Sequence, residues 1–340
     1  MATTRIKRPF ATRTNDVDGL ASNLGTALKI SDAPINGART RKTTRLPPAK
    51  PSDTPKDSKS AAMKSINNVL QSLASSSAAG KKLGSSSARA SATAGRAALN
   101  ILRKLEPRLL DTERAALSMV GKLLALNLYD AAMGILEDVR RQITSFYPHT
   151  EESASAPAPI SLLQLPVPTS SIDPALQTCA HIYLSHSFAV AVNIVSNNAK
   201  LYDSFYDVLQ NGAWLKSWAP HLSAVSRKSL DGLFKRVYAS LTNSFVSPIM
   251  SPVQVLKIRF QALQILLLSK EVDVTPFWEQ CLKCAASYAR NPEAKEGENE
   301  KVSILLGCFE FIEREAHSRR EGKGWIAFCE YWLALARRVS

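Results

Sequence analysis

The chain has 340 residues, with 43 Lys+Arg against 29 Asp+Glu for a net charge of +14, and 45% of its residues are hydrophobic. That apolar share is ordinary for a chain that folds at least in part, so complete disorder is excluded. No run reaches the roughly 18 uninterrupted apolar residues of a membrane helix and no apolar signal segment opens the sequence, so a soluble, non-secreted protein without membrane contact is expected.

The charge is uneven. Residues 1–96 hold 17 basic and 5 acidic residues, against 26 and 24 in 97–340, and contain one aromatic residue, Phe10. Rich in Ser, Thr, Ala, Pro and Lys, this stretch lacks the apolar surface to fold alone, and the composition predicts a disordered basic tail. Two basic clusters lie in it, one around Lys7 and Arg8, the other containing Arg39, Arg41, Lys42 and Arg45. An import receptor could read them, which points to the nucleus and cytoplasm, and non-specific nucleic-acid contact is the other reading. A solvated linker explains them equally, and the absence of interleaved aromatics argues against base stacking. Thr54-Pro55 resembles a proline-directed phosphorylation site. Within the tail, Met63, Ile66, Val69, Leu70 and Leu73 recur at helical spacing, predicting a short helix over 62–75 that either docks or forms transiently.

From Ala97 onward the apolar period is that of helices and no strand with period 2 is found, so the fold class is all-α. Asp111 is the expected N-cap of a helix over Thr112 to Leu126, with Asn127 as its stop. A second helix, Tyr129 to Phe146, follows so closely that the two form an antiparallel hairpin within 97–148. Pro157, Pro159, Pro166 and Pro168 mark 149–171 as a long surface loop, with Leu162, Leu163 and Leu165 as anchors. The remainder, 172–340, reads as helices over Pro174 to Asn198, Lys200 to Gln210, Leu222 to Asn243, Pro252 to Ser269, Pro276 to Arg290, Lys301 to Arg319 and Trp325 to Val339, with breaks at Pro and Gly. Such tandem hairpins predict an α-solenoid of tetratricopeptide-like or armadillo-like kind, the alternative being one irregular bundle.

Chemistry is sparse. The five cysteines form an odd, irregularly spaced set, read as reduced thiols of a cytosolic or nuclear protein. Cys281 and Cys284 have no second cysteine pair or nearby histidines to complete a zinc site, and their helical context makes them small core residues. His181 and His186 are five apart, not at the i, i+4 spacing of helical metal ligands. Cys308 sits in a helical apolar stripe with Ile304, Leu305, Phe309 and Ile312, unlike the strand-end nucleophile of a caspase-type protease. Gly322-Lys323-Gly324 lacks the spacing of a phosphate loop and reads as an interhelical turn. No catalytic residue, metal or cofactor is therefore predicted. Of the aromatics concentrated in the later helices, Trp214 and Trp218 flank a one-turn helix before Pro220 and could line a groove for an extended peptide, with core packing as the competing reading.

The stretch Leu99-Asn100-Ile101-Leu102-Arg103-Lys104-Leu105-Glu106, followed by Asp111-Thr112-Glu113-Arg114 and by Gly121-Lys122-Leu123-Leu124-Ala125-Leu126-Asn127-Leu128-Tyr129-Asp130, resembles the N-terminal helical region of fungal separases. The resemblance covers about 50 residues and extends beyond them only as a general pattern of helices and long loops. It implies the regulatory front end of a large cysteine endopeptidase that releases sister chromatids, whose protease domain lies far toward the C-terminus, so no catalytic residue carries over. It also implies a securin-like extended inhibitory chain as partner. The competing expectation is a stand-alone nuclear helical-repeat adaptor. Ser340 directly follows a predicted helix with no polar capping helix, from which a stack that continues further is expected.

Overall fold

The computed structural model describes residues 55–78, 85–149, 158–210, 214–245, 250–269, 275–290, 298–319 and 330. The basic clusters with Lys7, Arg8, Arg39, Arg41, Lys42 and Arg45, residue Thr54, the turn at 322–324 and nearly all of the helix expected after Trp325 lie outside them. Among the described residues the protein is all-α, with no strand and a single isolated bridge between His149 and Pro168.

Ten α-helices follow in order: α1 (Pro55–Ala78), α2 (Ser85–Leu105), α3 (Leu110–Ala125), α4 (Tyr129–Thr144), α5 (Pro174–Ser196), α6 (Tyr202–Gln210), α7 (Arg227–Ser244), α8 (Pro252–Leu266), α9 (Thr275–Ala289) and α10 (Glu298–Arg319). Short 3-10 turns stand at Ile160–Leu163, Ala199–Leu201 and Ala219–His221. Local chemistry sets several boundaries. Asp173 accepts a hydrogen bond from the Ala175 N–H at 2.7 Å, with Pro174 as the first helical residue of α5. Ser251 and Gln254 close a reciprocal capping box on α8. Asn127 adopts φ 58° just past α3, and the Leu128 N–H reaches back to the Leu123 carbonyl at 2.9 Å. This Schellman-type stop reverses the chain directly into α4, as the asparagine predicts. The N-cap of α3 is Leu109 rather than Asp111, which lies in the first turn and pairs with Arg114 at 2.9 Å.

The expected disordered tail does not reach residue 96, because α1 and the first half of α2 lie within 55–96. Helix α1 runs well beyond the predicted 62–75, burying Ala62, Ile66, Val69 and Leu73, whereas Met63 stays exposed. Helix α2 buries Ala88, Ala92, Ala98, Leu99 and Leu102. Its interior face is made largely of small residues, so composition reads as disorder while the spacing is helical. Those small residues bring the helices close: a Cβ on Gly95 would lie 2.5 Å from the terminal methyl of Met119 on α3.

Consecutive helices pack together through most of the chain, with α1 on α2, α3 on α4, α7 on α8, α8 on α9 and α9 on α10. Helix α5 is the hub, touching α3, α4 and α7 as well as the 3-10 turn at Ile160–Leu163. This explains its composition. It alone among the described helices is long and apolar enough to cross a membrane, with mean hydropathy 1.3, and 61% of that apolar window is buried in the protein core. A helix apolar on all sides is one covered on all sides. Part of the loop expected on the surface lies inside: Ile160, Leu162, Leu163 and Leu165 are buried, the 3-10 turn against α4 and α5, as anchoring residues would be, while residues 169–171 are exposed.

Candidate functional site

Of the two readings of Trp214 and Trp218, a peptide groove and core packing, the structure shows packing: both are core residues. Trp214 is 2% exposed and stacks on Phe188 with ring centroids 4.8 Å apart. Trp218 is fully buried, meets Tyr147 edge-on at 5.9 Å and donates its indole N–H to the Leu165 carbonyl at 2.9 Å. Neither presents a face to a partner. What they border is an extended segment of the chain itself. The Tyr183 hydroxyl donates to the Leu162 carbonyl at 2.8 Å, the Tyr147 hydroxyl to that of Pro166 at 2.8 Å, and the Arg140 guanidinium to that of Gln164 at 2.8 Å. Together with Trp218, four side chains thus bind backbone oxygens of the 3-10 turn at Ile160–Leu163 and the segment just after it, while its leucines fill the space between helices. The Pro-rich composition signals the loop, but nothing in it reveals which distant donors satisfy its carbonyls.

The cysteines and histidines are arranged for burial. Burial pushes the Cys179 thiol up to about 11 and those of Cys281 and Cys308 up to about 12, and that of Cys284 upward as well. At neutral pH these are thiols, without the thiolate a nucleophile or metal ligand needs. Among the described residues no group of three or more His, Cys, Asp or Glu side chains is placed to hold a metal ion. His181 and His186 on α5 are both lowered to about 4, first by burial and then by the positive charge of Arg236 on α7. They are neutral imidazoles, and the Nε2 of His181 has no hydrogen-bond partner.

A charged cluster ties α2, α3 and α4 together. Arg103 is 7% exposed and forms a fork to Glu113, itself 2% exposed, with N···O distances of 2.8 and 2.7 Å. Arg96 grips Asp138 through Nε at 2.5 Å and Nη2 at 3.0 Å, and Arg141 reaches the same carboxylate. Burial pushes the Asp138 carboxyl up, but the hydrogen bond from Arg96 and the charges of Arg96, Arg103 and Arg141 outweigh it and hold the group below its usual range. Burial also pushes Glu113 upward, against the opposing pull of Arg103. Every member is matched by opposite charge, so this is an internal clasp between helices rather than a substrate site.

A groove of about 740 Å³ lies between α1 and α2, floored by Val69 and walled by small side chains including Ser65, Ser72, Ala90 and Ala94. Among the described residues the protein is all-α. No family model, no curated protein and no solved structure matches the chain.

Proposed function

We propose that this chain is a non-catalytic helical-repeat scaffold, a solenoid-like array of antiparallel hairpins that holds partner chains and forms the amino-terminal regulatory part of a separase-like cysteine endopeptidase. The observation that carries the scaffold reading is the packing order: each hairpin has too little apolar surface to stand alone, and consecutive pairs bury it against one another around a core that runs from Ala62 to Leu305. The buried, protonated thiols leave no nucleophile among the described cysteines, which favours binding over chemistry. The residues just after the 3-10 turn, 164–166, supply a precedent within the chain, since these helices already hold a non-helical stretch through side-chain donors to its carbonyls. The separase assignment rests on the residues from Leu99 to Asp130, which here form α2, α3, the stop at Asn127 and the start of α4. In this reading the partner is a securin-like extended inhibitory chain, and the basic clusters at 5–9 and 39–45 serve nuclear entry.

Co-purification of the full chain with the securin of the same genome tests the assignment, and a complex that survives gel filtration is expected. Loss of that complex on deletion of 172–340 is expected as well; its persistence would remove the helical array from the binding surface. A blot of cell extract with an antibody to 172–340 separates the two classes of scaffold. A band many times heavier than 37.1 kDa supports the protease front end, and a band at 37.1 kDa supports a stand-alone adaptor.

A further inference from the structure

The face of the first hairpin that turns away from α3 and α4 has features that internal packing does not account for. The register of α1 against α2 is fixed by the Lys59–Glu106 ion pair at 2.6 Å and by Val69, which lies 3.2 Å from where a Gly95 Cβ would be. That register puts Ala61 opposite Lys104 and Lys64 opposite Ile101. On α2, residues 87, 90, 94, 101 and 105 share one helical stripe, so two large apolar side chains lie on the same side of the helix as the groove, about two to three turns beyond its last lining residue on α2, Ala94. Both are exposed: Ile101 by 45% and Leu105 by 37%. The hairpin thus carries a small-walled groove and, farther along the same stripe, an exposed apolar pair.

Its charge identifies what fits. Across 55–78 and 85–108 there are eight basic and two acidic residues. Lys59, Arg89, Arg96 and Arg103 have carboxylate partners. Lys56, Lys64, Lys104 and Arg108 have none among the described residues; Lys64 lines the groove opposite Ile101, and Lys104 directly precedes Leu105. We infer that this face is a docking surface for an acidic amphipathic helix of a partner protein, whose apolar stripe covers Ile101 and Leu105 while its flanking Asp or Glu side chains meet Lys64 and Lys104. The small walls matter because they let a helix backbone approach closely, as ridges enter a groove. A second copy of this chain is a poor occupant, since it would set the same lysines against each other on a molecule already carrying +14. The inference rests on the scaffold reading and names the chemistry of one of its partners.

The test uses the full chain and a fluorescent 18-residue peptide of Leu and Glu, patterned as an amphipathic helix, followed by anisotropy. Binding in the micromolar range is expected, weakening as salt is raised. The doubly substituted Ile101→Asp, Leu105→Asp chain should bind at least tenfold more weakly, and so should Lys64→Glu, Lys104→Glu. Met63→Asp, on the opposite side of α1, should bind as the parent does. Because all these positions are exposed, an unchanged melting temperature confirms that the variants fold. A peptide with its pattern scrambled, or with Glu replaced by Lys, binding as well as the first would overturn the proposal. So would unchanged affinity in both double variants, or a chain that sediments as a dimer until Ile101 is replaced. If the peptide fails while the securin complex still forms, the scaffold reading stands and only this face is wrong.

Discussion

Each carbonyl oxygen along 162–166 that is bonded inside the protein depends on a particular side-chain donor, so single atoms carry measurable stability. Tyr183→Phe removes only the hydroxyl that serves the Leu162 carbonyl, at a site where Tyr183 is fully buried. The expected loss is about 1 to 3 kcal/mol, the cost of leaving a buried acceptor unmet. Urea unfolding should read it as a lower midpoint with an unchanged slope, and a loss below about 0.5 kcal/mol would mean that the carbonyl finds another donor. The histidines give the same scale a pH signature. Both are lowered from 6.5 to about 4 in the folded chain, so between those values the unfolded chain binds protons that the folded chain refuses. Their contribution is fully present above pH 6.5 and is lost as pH falls toward 4. Arg236 is the charge that faces them across α5 and α7, and protonation would add like charge beside it. Melting temperature should therefore fall steadily from pH 6.5 to 4, and the fall should shrink in a His186→Gln chain. A flat profile over that interval would show that these imidazoles reach solvent.

Helices α2, α3 and α4 are joined by complementary shape and charge at one place. Gly134 on α4 is where Arg96 crosses, and a Cβ there would lie 2.8 Å from the Arg96 Nη1. Asp138 receives that guanidinium, and its loss would leave Arg96 without its carboxylate while Arg103 keeps its fork to Glu113. Asp138→Ala should cost about 1 to 3 kcal/mol, because Arg96 is 40% and Arg141 70% exposed and water can serve them. Replacing Arg103 and Glu113 together by Met and Leu should cost far less, because no unpaired charge stays behind. Equal losses in the two chains, measured by chemical denaturation, would contradict this account. At this scale sequence reasoning had its clearest success and its clearest miss. The α3–α4 hairpin was legible because Asn127 and the period of the apolar residues are local signals. The α1–α2 hairpin was hidden, because its buried face on α2 is built from Ala88, Ala92, Gly95 and Ala98, with Gly95 set close against Met119 and Val69, and composition records such a face only as a low-hydrophobicity stretch. Arg96 and Asp138, like the donors to 162–166, are joined across dozens of residues, and no spacing rule predicts such a pairing. Trp214 and Trp218 were ambiguous for a related reason: an aromatic pair has the same sequence in a core as in a groove.

Over the whole molecule, the contact order distinguishes two ways of being all-α. The hub helix α5 touches α3, α4 and α7, while α9 packs on α8 and α10, and α10 on α9. In a stack whose stability is a sum of hairpin and neighbour terms, damage at one end stays at that end. In a single bundle with one cooperative core it spreads everywhere. Leu305 on α10 is 5% exposed, so Leu305→Asp places a charge on the buried face of a helix that packs on α9. Hydrogen exchange should then quicken across α9 and α10 and leave α3, α4 and α5 as protected as in the parent chain. Faster exchange throughout α3 to α5 would instead mark one cooperative bundle and remove the solenoid from the proposed function. The local outcome has a functional corollary, since hairpins that open independently can adjust along an extended partner one at a time. In that case the proposed securin-like partner should slow exchange in the hairpins it covers and leave the others unchanged, which maps the binding face directly.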